Sequence, residues 1–239
     1  MNRWNPAVIA MALAALAGPA FAGTYKLTKG EGEAVCEAYK RNFEPRDDAK
    51  PMACQRTYDP SIAGFTSPKW KPLNAAENLA LYREAWVYFQ ENFSSPQGMR
   101  LTDKDIRDST QTLRERIESA HVRLFTAKLD LVGNGKEVNL LSLNEERCGP
   151  QPSPGIDISR LFILNEKGTN LDRSVPHSWN GVNNATVEIF NGRPYLENYE
   201  PGDSWGTLFT HGGELHVFQF TQTGLELICS IAWTPNKEK

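Results

Sequence analysis

Apolar residues recur at helical spacing in the first half of the chain. Residues 31–43 place Val35, Ala38, Tyr39 and Phe43 on one stripe. Positions three and four residues apart lie on the same side of an α-helix, so this spacing predicts a short helix with one buried face.

Two further helices are predicted downstream. Asn74 can cap a helix with Glu77 three residues later, and the apolar stripe of residues 79–93 follows. Thr102 with Asp105 opens a third helix in the same way.

After residue 121 the apolar period changes from helical to two, which is typical of strands. Val122–Val132 and Val138–Leu143 predict two strands around a Gly-Asn-Gly turn. Asn191-Gly192 and Gly212-Gly213 are signals for two-residue hairpins. The other predicted strands are Arg160–Leu164, Ala185–Phe190, Arg193–Tyr199, Gly206–His211, Glu214–Thr221 and Leu225–Trp233. We therefore expect an α+β fold in which N-terminal helices pack on a C-terminal antiparallel β-sheet of hairpins.

Residues 1–22 have the pattern of a signal peptide. Arg3 gives a positive start, residues 7–17 form an apolar run, and Ala20-Phe21-Ala22 is a small-x-small cleavage pattern. The apolar run is shorter than the roughly 20 residues that span a bilayer. We expect a periplasmic or secreted protein with no membrane span after cleavage.

Cleavage would leave 217 of the 239 residues, because it removes the first 22. The 26 Lys and Arg residues fall to 25 with the loss of Arg3, against 29 Asp and Glu, for a net charge of −4. This balance argues against nucleic acid as a partner, which requires a basic face. We expect residues 23–121 to form a helical part with a Pro-rich arm. Residues 122–239 would form the antiparallel β part, in one compact unit with the helices.

Four cysteines remain in the expected exported chain: Cys36, Cys54, Cys148 and Cys229. An even number in an exported protein predicts two disulfides. Four cysteines allow three pairings, and we favour Cys36–Cys54 with Cys148–Cys229, since each pair falls within one composition block. No two cysteines have the short spacing that structural zinc prefers.

The stretch His211-Gly-Gly-Glu-Leu-His216 places two imidazoles near a carboxylate. If Gly212-Gly213 forms a tight turn, His211 faces Glu214 across the ladder and His216 lies on the same sheet face. Such a set could bind zinc or copper. We favour a polar hairpin tip and keep the metal site as the alternative.

The segment from Asp130 to Glu137 joins the first two predicted strands of the β part. Residues 126–141 resemble the calcium loops of FG-GAP and VCBS-type β-proteins, and the resemblance implies Asp130, Asn134 and Glu137 as metal ligands. Val132 stands where the pattern requires an oxygen donor, and calcium takes six to eight oxygens. We favour a plain hairpin turn.

A ligand-binding surface is predicted on the hairpin around Asn191-Gly192. Strand alternation assigns Val187, Ile189 and Leu196 to the core face. The opposite face is rich in tyrosine and charge, a composition found at interfaces. With two flanking tryptophans, it gives the predicted ligand-binding residues Arg193, Tyr195, Tyr199, Trp179 and Trp205. A solvated face, or one covered by the N-terminal helices, is the alternative.

The opening residues 24–43, a second cysteine in a Pro-rich arm, and Gly64-Phe65 resemble exported proteobacterial proteins of unassigned function. The resemblance implies an export address and a disulfide, and it implies no activity.

We expect an exported, disulfide-stabilised binding protein without catalytic residues or a cofactor. Its partner would be a protein or glycan of the cell envelope, as for an inhibitor, an immunity-like protein or a glycan binder. The alternative is a metal-assisted hydrolase built on His211, Glu214 and His216. The sequence pattern specifies no oligomeric state.

Overall fold

A computed structural model describes six segments of the chain: residues 24–44, 64–94, 100–119, 122–145, 158–201 and 212–234. Within them, 44% of residues are in strands and 28% in helices, arranged as two antiparallel sheets and three helices. The expected α+β fold, with N-terminal helices packed on one C-terminal sheet, is therefore wrong. The predicted signal peptide lies outside the described residues.

The described strands come from both halves of the chain. They are β1 (Thr24–Lys29), β2 (Phe65–Thr66), β3 (Lys71–Leu73), β4 (Val122–Leu129), β5 (Val138–Glu145), β6 (Ile158–Leu164), β7 (Val182–Asn183), β8 (Ala185–Phe190), β9 (Arg193–Pro201), β10 (Gly213–Thr221) and β11 (Gly224–Thr234). The six-stranded sheet has the order β1-β11-β10-β9-β8-β2, and the five-stranded sheet has the order β3-β4-β5-β6-β7. Strands that precede residue 122 thus occupy both edges of the six-stranded sheet and one edge of the five-stranded sheet.

The three helices lie where the apolar spacing predicts them. They are α1 (Ala34–Phe43), α2 (Leu79–Phe89) and α3 (Asp103–Glu118), and a π-helical turn, Gln90–Ser94, continues α2. The predicted start of α3 is confirmed. The Thr102 hydroxyl accepts the Asp105 backbone N–H at 3.2 Å, and the Asp105 carboxylate accepts the Thr102 backbone N–H at 2.9 Å.

The two sheets pack face to face around a shared apolar core. Val187 of β8 and Leu196 of β9 meet Leu140 of β5 and Ile163 of β6, and all four are buried. Face-to-face packing of two antiparallel sheets is the arrangement of a β-sandwich.

Helices cover the outer face of each sheet. Tyr39 of α1 packs with Leu215 of the six-stranded sheet. On the other side, Tyr82 of α2 and Leu113 of α3 pack with Phe162 of the five-stranded sheet. The layers therefore follow the order α1, six-stranded sheet, five-stranded sheet, and α2 with α3.

Strand β5 is buried on both of its faces, which the expected single sheet does not provide for. Leu140 points into the core between the sheets, whereas its neighbours Leu141 and Leu143 lie under α2 and α3. A strand that is buried on both faces reads as a continuous apolar run and lacks the alternation of a half-exposed strand. In β5 the run is limited to Leu140 and Leu141, whereas in β6 it covers residues 161–164, which alternate between the core and the face under α2 and α3.

The hairpin around Asn191-Gly192 is confirmed in its turn and its register. Phe190 pairs with Arg193, and Glu188 pairs with Tyr195. Asn191 and Gly192 both have positive φ, 49° and 78°, as a type I′ turn requires.

One disulfide joins the first helix to the last strand. Cys36 of α1 is bonded to Cys229 of β11, with their Cα atoms 5.5 Å apart. Since a cysteine forms one such bond, the predicted pairs Cys36–Cys54 and Cys148–Cys229 are both wrong. Composition blocks do not predict this bond, because α1 packs on a strand 193 positions away in sequence. Cys54 and Cys148 lie outside the described residues.

Candidate functional site

The face predicted to bind a ligand is part of the core. Tyr195 and Tyr199 are 7% and 1% exposed and belong to the cluster beneath α1. Glu197, on the same face, is fully buried and accepts the Tyr39 hydroxyl at 2.8 Å. Arg193 stays exposed and donates to the Gln219 side chain at 3.3 Å. The tyrosines therefore anchor α1 and cannot contact a ligand in this fold.

The two flanking tryptophans do not extend a surface there. Trp179 is buried, and its indole N–H donates to the Gly224 carbonyl at 3.0 Å. Its ring meets Phe220 edge to face. Trp205 lies outside the described residues.

The predicted two-residue hairpin at Gly212-Gly213 is wrong. Glu214 pairs with Glu200 of β9 on one side and with Ala232 of β11 on the other. Both ladder positions beside Glu214 are therefore occupied, and none remains for His211. His211 itself lies outside the described residues.

His216 forms part of a polar cluster on β10. Its Nδ1 lies 2.8 Å from the Ser230 hydroxyl, and its Nε2 lies 3.5 Å from a Glu200 oxygen and 3.9 Å from a Glu214 oxygen. Ser230 is 5% exposed and faces His216 across the β10–β11 ladder. Within the described segments, no group of three His, Cys, Asp or Glu side chains is arranged to hold a metal ion.

The loop between β4 and β5 uses its predicted calcium ligands internally. The Asp130 carboxylate accepts backbone N–H groups from Gly133 at 2.8 Å, Asn134 at 3.2 Å and Gly135 at 2.6 Å. The Asn134 side-chain oxygen accepts the Lys136 N–H at 2.9 Å. These bonds describe a hairpin held together by a carboxylate, and Glu137 is exposed beside it.

This geometry predicts a pH-dependent loop. Hydrogen bonds from Gly135, and then from Asn134 and Gly133, lower the pKa of Asp130. A lowered folded pKa contributes stability above the unfolded value of about 3.9, and that stability is lost as the pH falls through the folded pKa. We expect the Gly135 amide resonance to titrate with a midpoint below pH ~3.9 by NMR. An Asp130→Asn variant should lack this step. A midpoint at or above the unfolded value would contradict the assignment.

A second candidate surface runs along α2 and consists of a cleft at one end and a group of aromatic side chains at the other. At its N-terminal end is a cleft of about 520 Å³ between α2, α3 and the connection from β6 to β7. We call this the α2 cleft, and its rim and floor include Arg83, Glu84, Val87, Ile106, Arg107 and Asn170. A volume of this order suits a small ligand or a few residues of a peptide.

The connection from β6 to β7 is fastened to α2 beside the cleft. Glu84 accepts the Asn170 side-chain amide at 3.3 Å and the Leu171 backbone N–H at 3.2 Å. Farther along, the Arg173 guanidinium lies 5.6 Å from the centre of the Tyr88 ring. The connection is thereby held against α2 at Glu84 and at Tyr88.

The C-terminal end of α2 carries an aromatic patch, formed by Tyr88, Phe93, Arg173 and His177 with Asn92. Phe93 is 45% exposed, the highest value for a large apolar side chain among the described residues. His177 lies 5.5 Å from the Phe93 ring and 5.9 Å from the Tyr88 ring, measured between centroids. The His177 Nε2 is 3.3 Å from the Asn92 side-chain oxygen.

Contacts with Phe89 and Gly181 hold the Phe93 ring in place. It stacks on Phe89 at 5.6 Å, and the Arg160 guanidinium lies 4.1 Å from the Phe89 ring centre. Arg160 is in turn bound to the buried Glu145 at 3.1 Å. On its other side Phe93 lies so close to Gly181 that a Cβ there would be 2.5 Å from the ring. An exposed ring with these supports is pre-organised for contact.

Charge and hydrogen-bonding capacity surround the exposed ring. Tyr88 is only 6% exposed and forms the buried base of the patch; burial raises its pKa, with Arg173 opposing the shift. Arg173, His177 and Asn92 are all exposed. The patch therefore offers an apolar centre and a polar rim, as protein interfaces do.

Sequence reasoning missed this patch for a geometric reason. The stripe of residues 79–93 assigns Phe93 to the buried face of a regular helix. The regular α-helical spacing that the stripe assumes ends at Phe89, because a π-helical turn covers Gln90–Ser94. His177 and Arg173 join it only through the fold.

Comparisons with protein-family models, with curated proteins and with solved structures each gave no match. In the described part of the chain, every helix is too short or too polar to cross a membrane.

Proposed function

We propose that the protein is an exported, disulfide-stabilised binding protein without catalytic residues, which recognises a protein or glycan of the cell envelope through the aromatic patch. The signal-like residues 1–22 and the Cys36–Cys229 bond both support an oxidising compartment. The observation that carries the proposal is Phe93, a ring that is fixed by its neighbours and yet exposed.

The physical reason lies in the cost of leaving such a ring in water. Burying apolar surface is favourable by about 25 cal/mol per Å², and a partner that covers Phe93 recovers this free energy. Because Phe89, His177 and Gly181 already restrict the ring, binding orders few additional rotamers. Aromatic and Arg side chains dominate the few residues that contribute most to interface affinity.

Affinity capture from an envelope fraction tests the proposal. We expect Phe93→Ala to weaken binding of the captured partner by about tenfold or more, equivalent to 1.4 kcal/mol. Phe93→Leu should retain part of the affinity, because it keeps apolar area and loses the ring. Circular dichroism and the melting temperature verify that each variant is folded.

The matched control is Lys128→Ala on β4, an exposed residue that belongs neither to the aromatic patch nor to the lining of the α2 cleft. It should bind like the wild type. Equal affinities for the wild type, Phe93→Ala and Lys128→Ala would contradict the proposed binding surface.

A further inference from the structure

We infer that the α2 cleft binds a short peptide segment that carries a carboxylate beside an apolar side chain. The inference rests on the proposed function, since it assigns part of the partner to a second region of the same α2 surface. It concerns a different set of residues from the aromatic patch and can fail separately.

Two arginines give the cleft its preference for an acidic group. Arg83 on α2 and Arg107 on α3 line the same cleft from different helices. Both are exposed, and neither forms an ion pair or side-chain hydrogen bond with another residue of the described segments. A guanidinium presents a planar fork of donors that matches a carboxylate, and two such groups can bind one carboxylate from both sides.

The cleft also contains two carboxylates, those of Glu84 and Asp103. Glu84 is already engaged by the Asn170 amide and the Leu171 backbone N–H. Asp103 lies in the first turn of α3, where the helix dipole favours a negative charge. The cleft therefore contains two carboxylates and two guanidinium groups: Glu84 is turned toward the connection by its hydrogen bonds, whereas Arg83 and Arg107 have their donors unoccupied by any described residue.

The floor of the cleft favours a peptide over a simple anion. Leu81 is buried beneath it, and Val87 and Ile106 are half-buried at its walls. An inorganic anion gains nothing from apolar walls, whereas an aliphatic side chain next to a carboxylate would bury area there. The Thr169 hydroxyl on the facing connection already donates to the Asn170 side-chain oxygen at 3.1 Å, so toward a peptide it can act only as an acceptor.

The test compares two capped dipeptides that differ in one charge. The ¹⁵N-labelled protein is titrated at low salt with N-acetyl-Leu-Glu-amide and with N-acetyl-Leu-Gln-amide. We expect the Glu peptide to shift amide resonances of residues 80–87, 103–107 and 169–170, with an affinity about fivefold higher than that of the Gln peptide. The difference should shrink as salt is added, because exposed charges are screened.

The variant Arg83→Gln/Arg107→Gln should bind both peptides equally. Arg114→Gln is the matched control, because Arg114 lies on α3 about two turns beyond Arg107 and outside the cleft. It should keep the preference for Glu. Equal affinities in the wild type, shifts elsewhere on the protein, or no shifts at millimolar peptide would each overturn the inference.

These outcomes separate the inference from the proposed function. If the peptides bind in the cleft while Phe93→Ala captures the partner normally, the patch proposal is wrong and the cleft inference holds. If Phe93→Ala loses the partner and the peptides show no charge preference, the cleft inference is wrong and the patch proposal holds.

Discussion

Replacing both bridged cysteines, in the variant Cys36→Ala/Cys229→Ala, is expected to lower the free energy of unfolding by about 2–5 kcal/mol. The bond joins residues 193 positions apart, so it restricts the unfolded chain over most of its length. Both cysteines are fully buried between α1 and the six-stranded sheet. Urea denaturation of the oxidised protein, followed by circular dichroism, measures the difference.

A reducing agent provides the control for this prediction. Reduction should destabilise the wild type by a similar amount, and the effect on the double variant shows what any other cysteine contributes. If the double variant unfolds within about 0.5 kcal/mol of the wild type, the bond does not have the expected stabilising role.

Replacing Tyr199 with alanine is expected to cost about 3–5 kcal/mol, the range for removing a large buried aromatic side chain. Tyr199 is 1% exposed, lies in the cluster beneath α1, and places its hydroxyl against the backbone of Gly213. Removing the ring opens a cavity between β9 and α1 that neighbouring side chains fill only in part. The melting temperature and the urea midpoint should both fall.

Arg193→Ala, on the same strand and the same face, is the control for Tyr199→Ala. Arg193 is exposed, and its contact with Gln219 lies at the surface, so its loss should change stability by less than about 0.5 kcal/mol. If Tyr199→Ala stays stable and instead loses the partner, the face would be a binding surface and the arrangement of α1 described above would be wrong.

Local signals in the sequence predict much of the secondary structure. The apolar stripes locate α1, α2 and α3, and the Thr102–Asp105 pair locates the start of α3. Asn191-Gly192 specifies its hairpin with the correct register, because only residues that accept positive φ form so tight a turn. These features depend on neighbouring residues, which a single sequence displays.

The layer arrangement depends on contacts between distant residues, and the sequence alone did not predict it. β2 and β3 have two and three residues, too few to display a period. β1 alternates Tyr25 and Leu27 with polar residues, but it is a single short segment whose partner β11 is at the other end of the chain. In the Asn191-Gly192 hairpin, alternation correctly assigns Val187 and Leu196 to the core between the sheets. Tyr195 and Tyr199 on the opposite face are also buried, because α1 covers them.

The candidate site could not be predicted from the sequence either, because its residues come together only through contacts between distant parts of the chain. Phe93 leaves its predicted stripe at the π-helical turn, and Arg173 and His177 reach it from a connection some eighty residues later in the chain. Arg83 and Arg107 belong to separate helices and meet only at the cleft.

Photo-cross-linking through position 93 tests the central claim most directly, because it reports contact at the ring itself. The substitution Phe93→p-benzoylphenylalanine is compared with the same residue in place of Lys128, each in the otherwise unchanged chain exposed to the envelope fraction. The proposed function predicts a discrete adduct from position 93 and none from position 128. A partner adduct from position 128 with none from position 93 would contradict it.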